Sequence, residues 1–152
     1  MNHPICTGRF RGLVACALSI SIGCTITQRV MPVPQDLDNE VCIIENPKVR
    51  PGFVREYQSA LQSRGYRYRM LPENARYEDC LITSTYLARW RWDIALYMAY
   101  AEIKVYRDSR LVGEAIYDAT AGGGRIFDKF IDAEPKIQEL VAELFPARRG
   151  AD

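Results

Sequence analysis

Histidine is almost missing from this sequence: one residue in 152, and that one at position 3. Downstream of His3 there is no imidazole to serve as a general base, to complete a nucleophilic triad or to ligate a metal. Cys-x-x-Cys spacing is also absent, which removes the usual dithiol redox site. The chain has no phosphate-binding Gly-x-x-x-x-Gly-Lys-Ser/Thr loop and no Gly-x-Gly-x-x-Gly opening a β-α-β unit. Charge of one sign is lacking too, since the formal net charge is +1. Without residues 1–23, which hold Arg9 and Arg11 but no acid, 18 basic residues face 19 acids. A nucleic-acid binder would show a basic excess or stripe, so that class is set aside. After residue 23 no apolar run approaches the roughly 20 residues a membrane-spanning helix needs. Neither an internal repeat nor a low-complexity tract is present, and the length suits one domain with a short appendage.

What is there begins with "LVACALSISIGC". Leu13–Ile22 is a ten-residue apolar core behind Arg9 and Arg11, the length and flank of a secretory signal peptide. A buried helix of the fold is the alternative reading, but the segment is apolar all round and a polar, Pro-containing stretch follows it. Thr25–Glu40, with Pro32 and Pro34, reads as an extended tether without a face to bury.

The close of that core, "SISIGC", resembles the lipobox of bacterial lipoproteins. Gly23 and Cys24 match the small residue and the acylated cysteine, while Ser21 stands where an aliphatic residue is favoured. "LVAC", ending at Cys16, is a better local match but has almost no apolar core before it. The resemblance implies cleavage before Cys24 and attachment of acyl chains (palmitate among them) to that cysteine, with ordinary secretion as the alternative. It also implies an envelope location on the periplasmic side. Thr25, being no aspartate, points to the outer membrane rather than the inner. Several acyl chains would hold lastingly where a single one anchors only reversibly.

Of five cysteines, Cys6 and Cys16 depart with such a leader and Cys24 takes lipid, leaving Cys42 and Cys80. An even pair in an oxidising compartment favours a disulfide; two buried thiols that never meet are the other outcome.

Periodicity gives the rest of the fold. "VCIIE" (41–45) reads as a strand buried on both faces. Phe53, Tyr57, Ala60 and Leu61 recur at helical spacing between Pro51 and Gly65. Tyr66–Leu71 returns as a strand, making a parallel β-α-β start. Cys80–Trp92, then "LYMAYAEIKVYRD" and "LVGEAIYDAT", read as a β-meander turning at Asp108–Arg110. Ile137, Leu140, Val141, Leu144 and Phe145 stripe a last helix ended by Pro146. The expectation is an α+β two-layer sandwich, β-α-β-β-β-β-α, with both helices on one face of a mixed sheet. Its parts are a signal peptide (1–23), a lipidated cysteine and flexible tether (24–40), the domain (41–146) and a tail (147–152). Ala99, Ala101, Ala115 and Ala119 would let helices lie close to the sheet.

Three features could carry function. Asp93, Glu102, Asp108, Glu114 and Asp118 are scattered on strands and turns and read as solvated or turn-forming. "AGGGR" could offer backbone N–H groups at Gly122, Gly123 and Gly124, with Arg125, to an anionic ligand; a glycine-permitted turn is the simpler reading. Trp90, Trp92, Tyr97 and Tyr100, interleaved with Arg89 and Arg91, read either as an interaction surface or as core with snorkelling arginines. Together "CIIENPKVRPGF", "RWRWDIALYMAYAEIKVYRDSRLVGEAIYDAT" and the glycine run resemble a family of small Gram-negative lipoproteins without an assigned activity. The element order is similar to that of envelope-assembly accessory lipoproteins. The tether, the missing histidine and the concentration of aromatics point to a non-catalytic accessory or binding module needing no cofactor or metal, with the lipid bilayer and an envelope protein as partners. An enzyme or ligand-binding protein using the Gly122–Gly124/Arg125 loop is the rival.

Overall fold

The computed structural model describes residues 26–93, 95–120 and 133–148. Cys24, the leader, and the Gly122–Gly124/Arg125 loop lie outside these residues. Two helices and six strands are present among them: β1 (Thr27–Met31), β2 (Glu40–Ile44), α1 (Pro51–Ser63), β3 (Arg67–Leu71), β4 (Ile82–Asp93), β5 (Ala95–Arg107), β6 (Arg110–Asp118) and α2 (Ala133–Leu144). The strands form one mixed sheet in the order β1-β6-β5-β4-β2-β3. β2 is parallel to β3 and β4, and the remaining pairs are antiparallel.

Each junction has a local cause. Pro51 stands at the first turn of α1, where its missing N–H costs nothing. Gly65, at φ 83°, takes the left-handed conformation that ends the helix. Asp108 and Ser109 both have positive φ, 49° and 63°, so β5 and β6 are joined by the two-residue turn whose twist matches their own. Along β5 the period of two buries Ala99, Ala101, Ile103 and Val105 and leaves Tyr100, Glu102, Lys104 and Tyr106 on the other face, half-buried.

Both helices cover the first of those faces. Phe53, Tyr57 and Leu61 of α1 meet Ile137, Leu140, Val141 and Leu144 of α2 over Val41, Ile43, Ile82, Tyr86, Ile103 and Ala115. Ala99, Ala101, Ala115 and Ala119 are all buried on the sheet, as their size suggested. The α+β order read from periodicity is therefore present, with one strand added in front.

That strand corrects the expected tether. Thr27–Met31 pairs antiparallel with the whole of Glu114–Asp118. Gln28 faces α2 and donates to Glu139 and Glu143 at 2.9 and 3.0 Å. Val33 and Leu37 are buried in the core, and the Val33 N–H bonds to the Leu144 carbonyl at 2.9 Å. Two prolines here punctuate a segment that folds with the domain. The C-terminal boundary moves as well: the Arg148 N–H bonds to the Arg64 carbonyl at 3.1 Å, and its guanidinium lies over Tyr66 and reaches the Leu37 carbonyl.

Candidate functional site: the aromatic hairpin and the open sheet face

The open face of the sheet carries the charges that the sequence scatters. Lys104 Nζ lies 3.0 Å from Glu102 on its own strand and 3.7 Å from Glu114 on β6, and Arg29 of β1 reaches Glu114 at 3.3 Å. Tyr100 Oη donates to Glu102 at 2.9 Å. Burial, reinforced by that carboxylate, pushes the Tyr100 hydroxyl up. Hydrogen bonding to Glu102 outweighs burial and raises Lys104. Every carboxylate in this cluster is matched by a cation, so it holds strands together and leaves no acid–base pair poised for chemistry. Cross-strand register was the missing signal, because Glu114 stands opposite Lys104 only once β5 and β6 are paired.

Cys42 and Cys80 are disulfide-bonded, with Cα atoms 6.2 Å apart. The bond draws the segment after β3 over the open face of β2. Arg69 stands beside both sulfurs, and Tyr77 of the 3-10 turn Tyr77–Asp79 stacks on Tyr106 at 4.4 Å. A shallow groove of about 460 Å³ remains, lined by Ile44, Glu73, Arg76, Tyr77 and Thr85 among others. Another of about 300 Å³ lies at the far end of the sheet beside Tyr66 and Arg148. Neither brings a nucleophile to a base, and among the described residues no cluster of His, Cys, Asp or Glu could hold a metal.

The four aromatic candidates come apart in the structure. Trp90 packs edge-on to Phe53 with the rings 6.5 Å apart, under the Arg50 guanidinium. Tyr97 is buried. Tyr100 lies on the open face beneath Arg89. Trp92 alone is open, at 75 % exposure, with its cross-strand partner Leu96 at 43 %. The register explains why. Trp90 pairs with Met98 and Trp92 with Leu96, so the strand period puts all four on one face of the ribbon. The inner pair joins the core against α1; the outer pair continues that apolar face beyond its cover. A register shift between Arg89 and Trp90 precedes this ribbon, and Ala99, the extra residue, uses its carbonyl to accept from the Ala119 N–H.

Asp118, at the end of β6, accepts from the Thr120 hydroxyl and N–H, which with Arg91 and Arg89 nearby lowers its carboxyl below the usual range. The Asp93 side chain and the Gly122–Gly124/Arg125 loop lie outside the description.

No protein-family model matches the chain. No curated protein gives a significant match. Among solved structures, it is similar to a point variant of the PelC dodecamer from Paraburkholderia phytofirmans in space group C2, with TM-score 0.55 and 15% identity, over 82% of this chain and 100% of that one. The PelC dodecamer of the same organism in space group P6 gives TM-score 0.51 and 15% identity, over 78% and 95%. The likeness is one of fold.

Proposed function

We propose that the chain is a lipoprotein of the bacterial envelope, tethered by acylated Cys24 on the periplasmic side and acting as a non-catalytic accessory or binding module. The outer membrane is the proposed site. The observation that carries this reading is the apolar run Leu13–Ile22 ending in Gly23-Cys24 behind Arg9 and Arg11. The Cys42–Cys80 disulfide supports export, since such bonds persist in oxidising compartments. The charge-matched Glu102–Lys104–Glu114 cluster on the open face and the lack of any histidine after His3 support a binding role over a hydrolytic one. The two solved structures named above are dodecamers, and assembly of several copies of this chain is part of the same proposal.

Replacing Cys24 with Ser tests the anchor. The expected result is loss of acyl mass and release from the membrane fraction, or accumulation of an uncleaved form. Unchanged mass and unchanged fractionation would overturn it. Light scattering on the detergent-solubilised protein checks the assembly, which a monomeric mass would reject.

A further inference from the structure

The N-terminal end of β1 and the exposed tip of the β4–β5 hairpin lie at the same end of the sheet. Thr27 pairs with Asp118, Asp118 with Tyr100, and Tyr100 with Arg89, so these four residues form one row across β1, β6, β5 and β4. β1 runs away from that row, since Met31 pairs with Glu114; the chain therefore enters β1 at that end, with Ile26 packed against the core. β4 runs toward the row and past it, and the ribbon beyond Arg89 carries Trp92 and Leu96.

The two reaches match. Trp92 stands three residues past the row, about 10 Å at strand rise. Cys24 stands three residues before Thr27, and three residues span at most about 11 Å however they are arranged. A surface holding Cys24 is thus within touching distance of the hairpin tip. That tip presents an exposed Trp beside an exposed Leu, the combination that settles at a bilayer's headgroup level.

We propose that the hairpin tip is a second membrane contact: Trp92 and Leu96 enter the interfacial zone of the bilayer that holds Cys24. The inference rests on the lipid-anchor reading, and it adds an orientation, with the β4–β5 end of the sheet facing the membrane and the Tyr66–Arg148 end facing away. In formal charge Arg89 and Arg91 are matched by Asp93 and Asp118, and Asp118 lies near both arginines. Contact therefore comes from the apolar pair and needs no anionic lipid.

The chain has only two tryptophans, which makes the test direct. Full-length protein carrying Trp90→Phe, and separately Trp92→Phe, is reconstituted into phosphatidylcholine vesicles with bromine-labelled acyl chains. Intact mass on the same samples reports acylation of Cys24. The expected result is acylated protein in which Trp92 fluorescence is quenched at least about twofold while Trp90 fluorescence changes little. Adding phosphatidylglycerol should leave the quenching unaltered. Acylated protein with Trp92 unquenched overturns the tip contact and leaves the anchor standing. If Trp92 is then shielded from aqueous iodide in native envelope vesicles, the tip belongs to a protein partner instead. Unacylated protein overturns the anchor, and quenching of Trp92 in that sample would uphold the tip contact on its own.

Discussion

Cys42, in the middle of β2, is covalently joined to Cys80, 38 residues later and just before β4. The bond closes a loop containing α1 and β3, so it restrains the unfolded chain as well as fastening the segment over the open face. In the chain-entropy account a loop of this length contributes up to about 4 kcal/mol. Replacing both residues, Cys42→Ala with Cys80→Ala, is expected to lower urea stability by roughly 2 to 4 kcal/mol. Dithiothreitol should weaken the native protein comparably and leave the double variant unchanged. Equal midpoints for native and variant protein would show that the bond adds nothing.

Gly113 of β6 sits where the segment after β1 crosses the end of α2. A Cβ built there would overlap Val33 Cγ1 and approach Leu144 Cδ1 to 3.1 Å. The Gly113→Ala variant should lose about 1 to 3 kcal/mol through overpacking. Val33→Ala opens a small cavity by itself, yet combined with Gly113→Ala it should recover part of the loss. Additive losses in the double variant would mean that the two sites do not compete for the same space.

Lys104 is the cation shared by Glu102 and Glu114, each less than a quarter exposed at the side chain. Lys104→Met leaves two partly buried carboxylates on adjacent strands, with Arg29 still on Glu114 and the Tyr100 hydroxyl still on Glu102. The expected cost is about 1 to 2 kcal/mol. Adding Glu114→Gln should return some of it, because the like-charge repulsion is then gone. A neutral Lys104→Met variant in thermal melts would place the cluster among surface pairs of no consequence.

How much of this was legible beforehand differs from segment to segment. β5 announces itself because Ala99, Ala101, Ile103 and Val105 alternate with polar residues, and such alternation has one structural solution. β1 does not. Thr27–Met31 is a short, mostly exposed edge strand in which only Val30 packs against the core, while Gln28 on the same face bonds to Glu139 and Glu143 of a helix more than a hundred residues later. An exposed strand with a single apolar residue turned to the core reads as loop until its distant partners are known. The aromatic hairpin shows the same limit. Trp90 and Trp92 have the same period and the same face; only the position of α1 decides that one is core and the other open. The cysteine pair was readable from number and the expected oxidising compartment, without geometry.

Tyr57 gives the domain its dependence on alkaline pH. Its hydroxyl is fully buried and lies 2.7 Å from Ser84 Oγ, which itself donates to the Lys104 carbonyl at 3.0 Å. Burial raises the phenol well above 10.0, and the bond to Ser84 offsets only part of this. Below pH 10 the hydroxyl is protonated in both folded and unfolded chains, so the contribution of Tyr57 is fully present. Above pH 10 the unfolded chain ionises while the folded one resists, and stability falls as pH rises. Tyr86, raised chiefly by burial, adds to the fall in the same direction. Tyr57→Phe should cost about 1 kcal/mol at neutral pH, since Ser84 keeps its carbonyl acceptor. The same variant should lose stability less steeply than native protein between pH 10 and pH 11.5 in urea titrations. Parallel curves for the two proteins across that range would show that Tyr57 is not the group being titrated.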